Sequence, residues 1–174
     1  MTSMTTTMIT FETELGRCGV RWSEAGITAV LLPSPRLDGL VPGDAAGVPD
    51  FVREAIDGMT AVLTGVPRDL RGLPLDQRPI DEFRRAVFAA TRDIPPGATR
   101  SYGEVARAIG RPEGARDVGA ALAANPTPII VPCHRVVAAN GALTGFSAPG
   151  GLATKRRMLE LEGAPGCGQQ VLFG

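Results

Sequence analysis

Short apolar runs separated by turn residues occupy the first part of the chain. Residues 8–11, 20–22 and 27–32 are rich in the β-branched and aromatic side chains of strands, and Ala25-Gly26 is typical of a hairpin turn. Residues 33–48 are rich in Pro and Gly, which predicts a loop. The chain is therefore expected to begin with short β-strands.

A helical repeat follows the strands. In residues 50–63 the apolar side chains fall on one face of a helix, and Asp50 occupies the position of an N-cap. The Leu-rich residues 70–75 include Pro74, which restricts this segment to an edge strand because proline has no N–H to donate. Residues 71–79 are expected to form a linker.

Four helices are predicted after the linker. Ser101 and Glu104 have the spacing of a capping box, and small residues make the helix at 115–124 unusually thin. A helix, a tight turn and a second helix together predict a helix-turn-helix. The four segments are residues 83–90, 101–109, 115–124 and 152–162.

These patterns predict two structured parts. Residues 1–79 are expected to form a small α/β N-terminal domain that includes the linker. Residues 80–166 are expected to form a mostly helical, winged-helix-like C-terminal domain with the helix-turn-helix. Residues 167–174 are expected to be a loosely packed tail.

Composition and charge narrow the functional classes. The three cysteines show no metal-type spacing, and their odd number suits a reducing cytoplasm, while a single histidine argues against a zinc site. We expect a cytoplasmic protein, because neither a secretory signal nor an apolar run of ~20 residues is evident. Residues 1–80 hold 7 Lys and Arg against 10 Asp and Glu, and residues 81–174 hold 11 against 8. An anionic partner should therefore meet the second part.

The chemistry centres on a thiol beside the only histidine. Residues 129–131 predict a short buried strand that ends at Pro132. In a continuous strand Cys133 and His134 would point to opposite faces, so a turn at Pro132 is needed to bring the imidazole to the thiol. A cysteine with a nearby base is a candidate nucleophile, although a free cysteine in apolar surroundings is also a common core residue.

The segment Pro132-Cys133-His134-Arg135-Val136-Val137 resembles the alkyl-acceptor motif of the O6-alkylguanine-DNA alkyltransferases, also called methylated-DNA–protein-cysteine methyltransferases. The resemblance extends from about residue 83 to residue 163. It implies that a monomer repairs double-stranded DNA containing O6-alkylguanine. The alkyl group would pass irreversibly to Cys133, once per chain and without a cofactor, after the base has been flipped out of the duplex.

The resemblance also implies roles for particular side chains. His134, held by Glu162, would take the thiol proton through a water molecule, and Tyr102 would hydrogen-bond the departing purine. Asn125 would tie the cysteine loop to the second helix. The DNA-binding residues would be Arg116, Ser101, Gly119 and Ala115, and the substrate pocket would include Pro132, Arg135, Val136, Phe146 and Ser147.

Asp117 departs from the family pattern. Arg116-Asp117-Val118-Gly119 matches an Arg-Ala-Val-Gly segment whose arginine fills the gap left by the flipped base, but Asp117 replaces Ala. Asp117 would either face phosphates unfavourably, so that Asp117→Ala tightens DNA binding, or pair with a nearby Arg. The thin helix could equally serve close helix packing. The run Lys155-Arg156-Arg157 is interpreted as a solvated face.

Two other classes fit part of the pattern. A non-catalytic lesion-binding or regulatory helix-turn-helix protein would explain the helices, but proteins of this kind within the family replace the acceptor cysteine. A Cys-His hydrolase or acyltransferase would use the same pair, but it would need an oxyanion hole. Alkyl transfer therefore remains the leading hypothesis.

Overall fold

The computed structural model describes residues 7–38 and 47–164. Strands β1 (Thr7–Thr13), β2 (Gly16–Ser23) and β3 (Gly26–Leu31) form an antiparallel sheet in the order β1-β2-β3. The predicted hairpin is confirmed, since Ser23 pairs with Gly26 across it. Gly26 has φ +150°, and a Cβ there would lie 2.7 Å from the Pro74 carbonyl oxygen, so the turn requires glycine.

Helix α1 (Asp50–Val62) completes the first part and buries Val52, Ala55, Met59 and Val62. The prediction that Asp50 caps this helix is wrong. The N-cap is Pro49, and Asp50 is the first helical residue, where it pairs with Arg53 one turn later. Its carboxylate still lies at the positive end of the helix dipole, which favours an acidic residue without a capping hydrogen bond.

The outer edge of β3 connects the sheet to the rest of the chain. Residues 70–75 are not the predicted edge strand; a single bridge joins Ile27 to Leu75. The Ile27 N–H donates to the Pro74 carbonyl over 2.9 Å, and the Asp76 N–H donates to the Ile27 carbonyl over 2.9 Å. Because Pro74 can only accept, the pairing does not extend into a ladder.

The second part is built from helices and very short strands. Helix α2 (Glu82–Arg92) is capped by Asp81, and the predicted capping box of Ser101 and Glu104 is present at the start of α3 (Tyr102–Ala108). Strands β4 (Arg100–Ser101) and β5 (Val136–Val137) pair in parallel. The remaining elements are α4 (Ala115–Ala123), a 3₁₀ turn at Cys133–Arg135 and α5 (Gly151–Leu161).

The segment before the cysteine links two apolar cores. Ile129 and Ile130 belong to the core under the sheet, whereas Val131 and Cys133 belong to the core among α2, α3 and α4. The predicted strand at residues 129–131 is wrong. The chain turns there, with the Val131 N–H donating to the Thr127 carbonyl over 2.9 Å and Ile129 at φ +74°. Positive φ is strained for a β-branched residue, and packing on both sides holds it.

No helix within the described ranges is both long and apolar enough to cross a membrane. The predicted tail at residues 167–174, with Cys167, lies outside the described residues, as do residues 39–46 of the predicted loop.

Candidate active site

Cys133 opens the 3₁₀ turn and faces a cavity. Pro132 precedes it, and the Arg135 N–H donates to the Pro132 carbonyl over 2.9 Å, which closes the turn. Cys133 is 9% exposed and lines a cavity of about 600 Å³. Cavities of about 300–1,000 Å³ are the usual size for small-molecule sites, so a nucleobase fits this volume.

Asn125 hydrogen-bonds the backbone of the loop that carries Cys133. Its amide nitrogen donates to the Val131 carbonyl over 2.9 Å, and its amide oxygen accepts from the Thr127 N–H over 3.0 Å. Burial raises the pKa of the Cys133 thiol, and the interaction of that thiol with the Asn125 side chain opposes the rise. One side chain at the end of α4 thus acts on both the backbone and the thiol.

A buried ion cluster lies next to the thiol. His134 Nε2 is 2.8 Å from Glu162 Oε1, and both side chains have no exposed surface. Arg135 donates to both carboxylate oxygens of Glu162, over 2.9 Å and 2.7 Å, and to the Ile94 carbonyl over 2.6 Å. This fork is the geometry in which Arg binds a carboxylate most strongly.

Burial and the contacts within this cluster lower the pKa values of Glu162 and His134. Burial would raise the pKa of Glu162, but His134 and Arg135 outweigh it and lower that pKa to about 2. Burial lowers the pKa of His134, and the neighbouring charge of Arg135 acts in the same direction, against the attraction of Glu162. Glu162 is therefore an anion and His134 a neutral imidazole near pH 7.

The protonated nitrogen of His134 follows from this arrangement. A carboxylate only accepts hydrogen bonds, so Nε2 carries the hydrogen and Nδ1 carries the lone pair. Nδ1 is buried and has no hydrogen-bond partner among the described residues. Burial raises the pKa of Cys133. General-base activation requires a protonated thiol and an imidazole with a free lone pair, and Cys133 and His134 supply these two groups at adjacent positions of the chain.

Lys155, which lies in a run predicted to be a solvated face, is buried in this site. Lys155 has 0% exposure, and its ammonium donates to the Val136 carbonyl over 2.6 Å and to the Thr144 carbonyl over 2.9 Å. It also lies 3.4 Å from the Tyr102 hydroxyl. The interpretation of Lys155 as solvated is therefore wrong. Its spacing of three and four residues from the buried Met158 and Leu159 was the signal that it faces inward.

Burial shifts the pKa values of Tyr102 and Lys155, and the nearby Cys133 contributes to both shifts. Burial raises the pKa of Tyr102, whose hydroxyl donates to the Thr144 carbonyl over 3.0 Å. Burial lowers the pKa of Lys155 to about 8, while the nearby Cys133 opposes this shift. A largely protonated ammonium thus lies beside two groups whose anions it would stabilise.

The predicted pocket residues divide into two groups. Phe146 and Ser147 line the cavity, and the Ser147 hydroxyl donates to the Ala123 carbonyl over 2.8 Å. Pro132, Arg135 and Val136, which were also predicted for the pocket, are not among the residues that line this cavity. Arg135 instead hydrogen-bonds Glu162 and the Ile94 carbonyl, and it lines a separate cleft.

The thin face of α4 forms a groove beside the cavity. Ala115, Arg116, Gly119 and Ala123 line it together with Tyr102 and Phe146. The groove and the cavity share the Tyr102 and Phe146 walls, so one leads into the other.

Ser101, the fourth predicted DNA contact, and Asp117 occupy different surroundings. The hydroxyl oxygen of Ser101 accepts from the Glu104 N–H over 3.1 Å, within the capping box. Asp117 is exposed on a separate cleft that also contains Asp81, Arg84 and Arg111, and it forms no ion pair within the described residues. No group of three His, Cys, Asp or Glu among those residues could hold a metal ion.

The amino-acid sequence is similar to those of methyltransferases that act on methylated DNA. The profile described as "6-O-methylguanine DNA methyltransferase, DNA binding domain" matches residues 82–164. The methylated-DNA–protein-cysteine methyltransferase of Methanosarcina acetivorans is 38% identical over 155 residues, which cover 88% of this chain and 96% of that protein. The protein of the same name from Mycobacterium bovis is 45% identical over 68% of this chain and 70% of its own length.

Solved structures agree with the sequence relatives. The crystal structure of Mycobacterium tuberculosis OGT in complex with DNA is similar with a TM-score of 0.73 and 35% identity, covering 96% of this chain and 99% of the other. The O6-methylguanine-DNA methyltransferase of Pyrococcus kodakaraensis, at 24% identity, has a TM-score of 0.69 and shows the same fold. The predicted combination of a small sheet with helices is confirmed at this level.

Proposed function

The chain belongs to the 6-O-methylguanine DNA methyltransferase family, and from that premise we propose that its substrate is O6-alkylguanine in duplex DNA and its acceptor is Cys133. The protein repairs DNA by direct transfer of an alkyl group to a cysteine. The observation that carries the assignment of the acceptor is the Cys133 thiol, which lines a base-sized cavity beside the buried His134–Glu162 pair.

The transfer step assigns a role to each buried group. His134 Nδ1 takes the Cys133 proton, through a water molecule as in the family, and Glu162 stabilises the resulting imidazolium. The thiolate then attacks the alkyl carbon in line, a sulfur–carbon bond forms, and the carbon–oxygen bond breaks. The bonding pair passes to the guanine, which takes up a proton. The product is a thioether, so each chain reacts once.

Tyr102 and Lys155 are proposed to serve the departing guanine. The Tyr102 hydroxyl would donate to the purine in place of its present bond to the Thr144 carbonyl. The ammonium of Lys155, 3.4 Å from that hydroxyl, would stabilise the negative charge left on the phenol oxygen. The charge of Lys155 also favours the thiolate of Cys133. We therefore propose that Lys155 assists both the ionisation of the thiol and the departure of the guanine.

Lys155→Met tests that role, because methionine keeps the length and removes the charge. We expect the transfer rate to fall at least tenfold, equivalent to about 1.4 kcal/mol in the barrier. The pKa of Cys133 should rise, because the thiolate loses a cation. Iodoacetamide labelling of Cys133 between pH 6 and 10 measures that pKa. Arg156→Met, at an exposed position on the same helix, is the matched control; an unchanged labelling profile in Lys155→Met would contradict the proposal.

Helices α3 and α4 are proposed to act as a helix-turn-helix whose second helix approaches the minor groove. The exposed Arg116 and the small side chains around it support this role, since a groove about 6 Å wide admits only a thin surface. Arg116 would fill the gap left by the flipped nucleotide.

Arg116→Ala should therefore slow repair of duplex DNA about tenfold or more while leaving reaction with free O6-alkylguanine bases nearly unchanged. Free bases need no flipping, which costs a few kcal/mol in a duplex. Second-order rates on the two substrates, measured by intact mass, give the comparison. Arg53→Ala removes the same charge on α1 and serves as the control. Equal losses on both substrates would mean that Arg116 supports the fold instead.

A further inference from the structure

One wall of the cavity comes from the first part of the chain. The Val30 N–H at the edge of β3 donates to the Pro126 carbonyl over 2.9 Å, which joins the sheet to the loop that carries Cys133. Beyond this hydrogen bond the chain continues along the cavity. Val30, Leu31, Leu32, Ser34, Pro35 and Arg36 all line it. The sheet therefore contributes directly to the substrate site.

The exposure of this wall changes along its length. Leu32 is 4% exposed, whereas Pro35 and Arg36 are exposed, so Arg36 lies at the mouth. Arg36 is the one charged side chain among the described residues that line the cavity. Within those residues its guanidinium has no ion pair or hydrogen bond, and the exposed Asp38 does not line the cavity. Among the described residues, the mouth thus carries a positive charge with no acidic partner.

The base and the phosphates of a flipped nucleotide match the apolar interior and the charged mouth of the cavity, respectively. The base enters the apolar interior, while the sugar and the phosphodiesters stay outside because they remain part of the DNA strand. A phosphate next to the flipped nucleotide therefore lies at the mouth. A guanidinium binds phosphate oxygens through two parallel N–H donors, which gives geometric specificity as well as attraction.

We propose that Arg36 binds a DNA phosphodiester adjacent to the flipped nucleotide and so positions the target base over Cys133. The inference rests on the proposed function, since it concerns the same cavity. It assigns the first part of the chain a share in DNA recognition, although that part carries a net negative charge. The contact is independent of sequence, because every nucleotide carries the same phosphate.

Binding measurements test the contact without the complication of transfer. In a Cys133→Ser background we expect Arg36→Gln to weaken binding to duplex DNA containing O6-methylguanine three- to tenfold. The slope of log affinity against log salt should become shallower by about 0.9, the value for one lost phosphate contact. Arg36→Lys should keep most of the slope but not all of the affinity. Arg21→Gln, an exposed arginine of β2 outside the cavity, is the matched control.

Reaction with free O6-benzylguanine base separates this inference from the function itself. With Cys133 intact, Arg36→Gln should lose more of its alkylation rate on duplex DNA containing O6-methylguanine than on the free base, because only the duplex carries the phosphate that Arg36 is proposed to bind. An unchanged salt slope in Arg36→Gln, or the same loss in Arg21→Gln, would overturn the phosphate contact. Absence of any alkyl group on Cys133 in the wild-type protein, with either substrate, would instead contradict the proposed function.

Discussion

Cys133→Ser is expected to abolish alkyl transfer while leaving binding to O6-methylguanine DNA within about twofold of the wild type. A serine hydroxyl is far less acidic than a thiol, and the neutral His134 cannot ionise it to a useful extent. The wild-type protein should gain one methyl group per chain and then stop. Intact mass after mixing with excess methylated duplex measures this plateau, and peptide mapping identifies the modified residue.

Cys18 provides the matched control for this experiment. It is fully buried in the other core, and burial raises its pKa to about 11. Cys18→Ala should therefore keep the one-methyl plateau. Release of more than one alkyl product per chain would indicate a hydrolase. A wild-type protein that binds the lesion but never gains mass would indicate a lesion-binding protein.

The sheet and the helices could be predicted because local patterns determine them. The hairpin at Gly26, the capping box at Ser101 and the apolar face of α1 each depend on residues close in sequence. The turn at Ile129 could not be predicted in this way. Three apolar residues in a row resemble a buried strand, and only the presence of two separate cores distinguishes a segment that packs on both.

The contact between His134 and Glu162 could be predicted from the sequence, whereas the two buried cations near it could not. The His134–Glu162 contact expected from the resemblance is present at 2.8 Å. The partners that set its charge, Arg135 and Lys155, were assigned to the pocket and to the solvated surface. Both positions depend on tertiary contacts, since Arg135 reaches a residue 27 positions later and Lys155 reaches the carbonyl of Val136, 19 positions earlier. Charged residues are seldom fully buried, so composition favours the surface until partners are known.

Replacing Glu162 with Gln should lower both the reactivity of Cys133 and the stability of the fold. The amide removes the charge that balances the buried Arg135 and orients His134. Breaking a buried ion pair by removing one partner costs about 3–5 kcal/mol. A positioned general base contributes a factor of about 100 or more, so transfer should slow by up to that factor when His134 loses the carboxylate that orients it. Urea unfolding and the rate of methyl transfer measure the two effects separately.

The pH dependence of stability gives an independent measure of the same carboxylate. The pKa of Glu162 falls from 4.5 to about 2 on folding, so its stabilising effect is complete above pH 4.5 and is lost as pH falls towards 2. The shift corresponds to roughly 3 kcal/mol. His134, whose pKa is also lowered, acts in the same direction below its ordinary pKa of 6.5. The wild type should therefore lose stability steeply in acid, and Glu162→Gln should lose less.

Glu160→Gln makes the same chemical change two residues earlier, at an exposed position of α5, and should alter neither stability nor transfer. The comparison decides whether Glu162 acts in catalysis or only in folding. If Glu162→Gln is destabilised but reacts at the wild-type rate and keeps the iodoacetamide reactivity of Cys133, the carboxylate only anchors Arg135. Both measurements are made below the urea concentration at which the variant unfolds. If transfer is then slower and the pKa of Cys133 is raised, Glu162 acts on the thiol through His134.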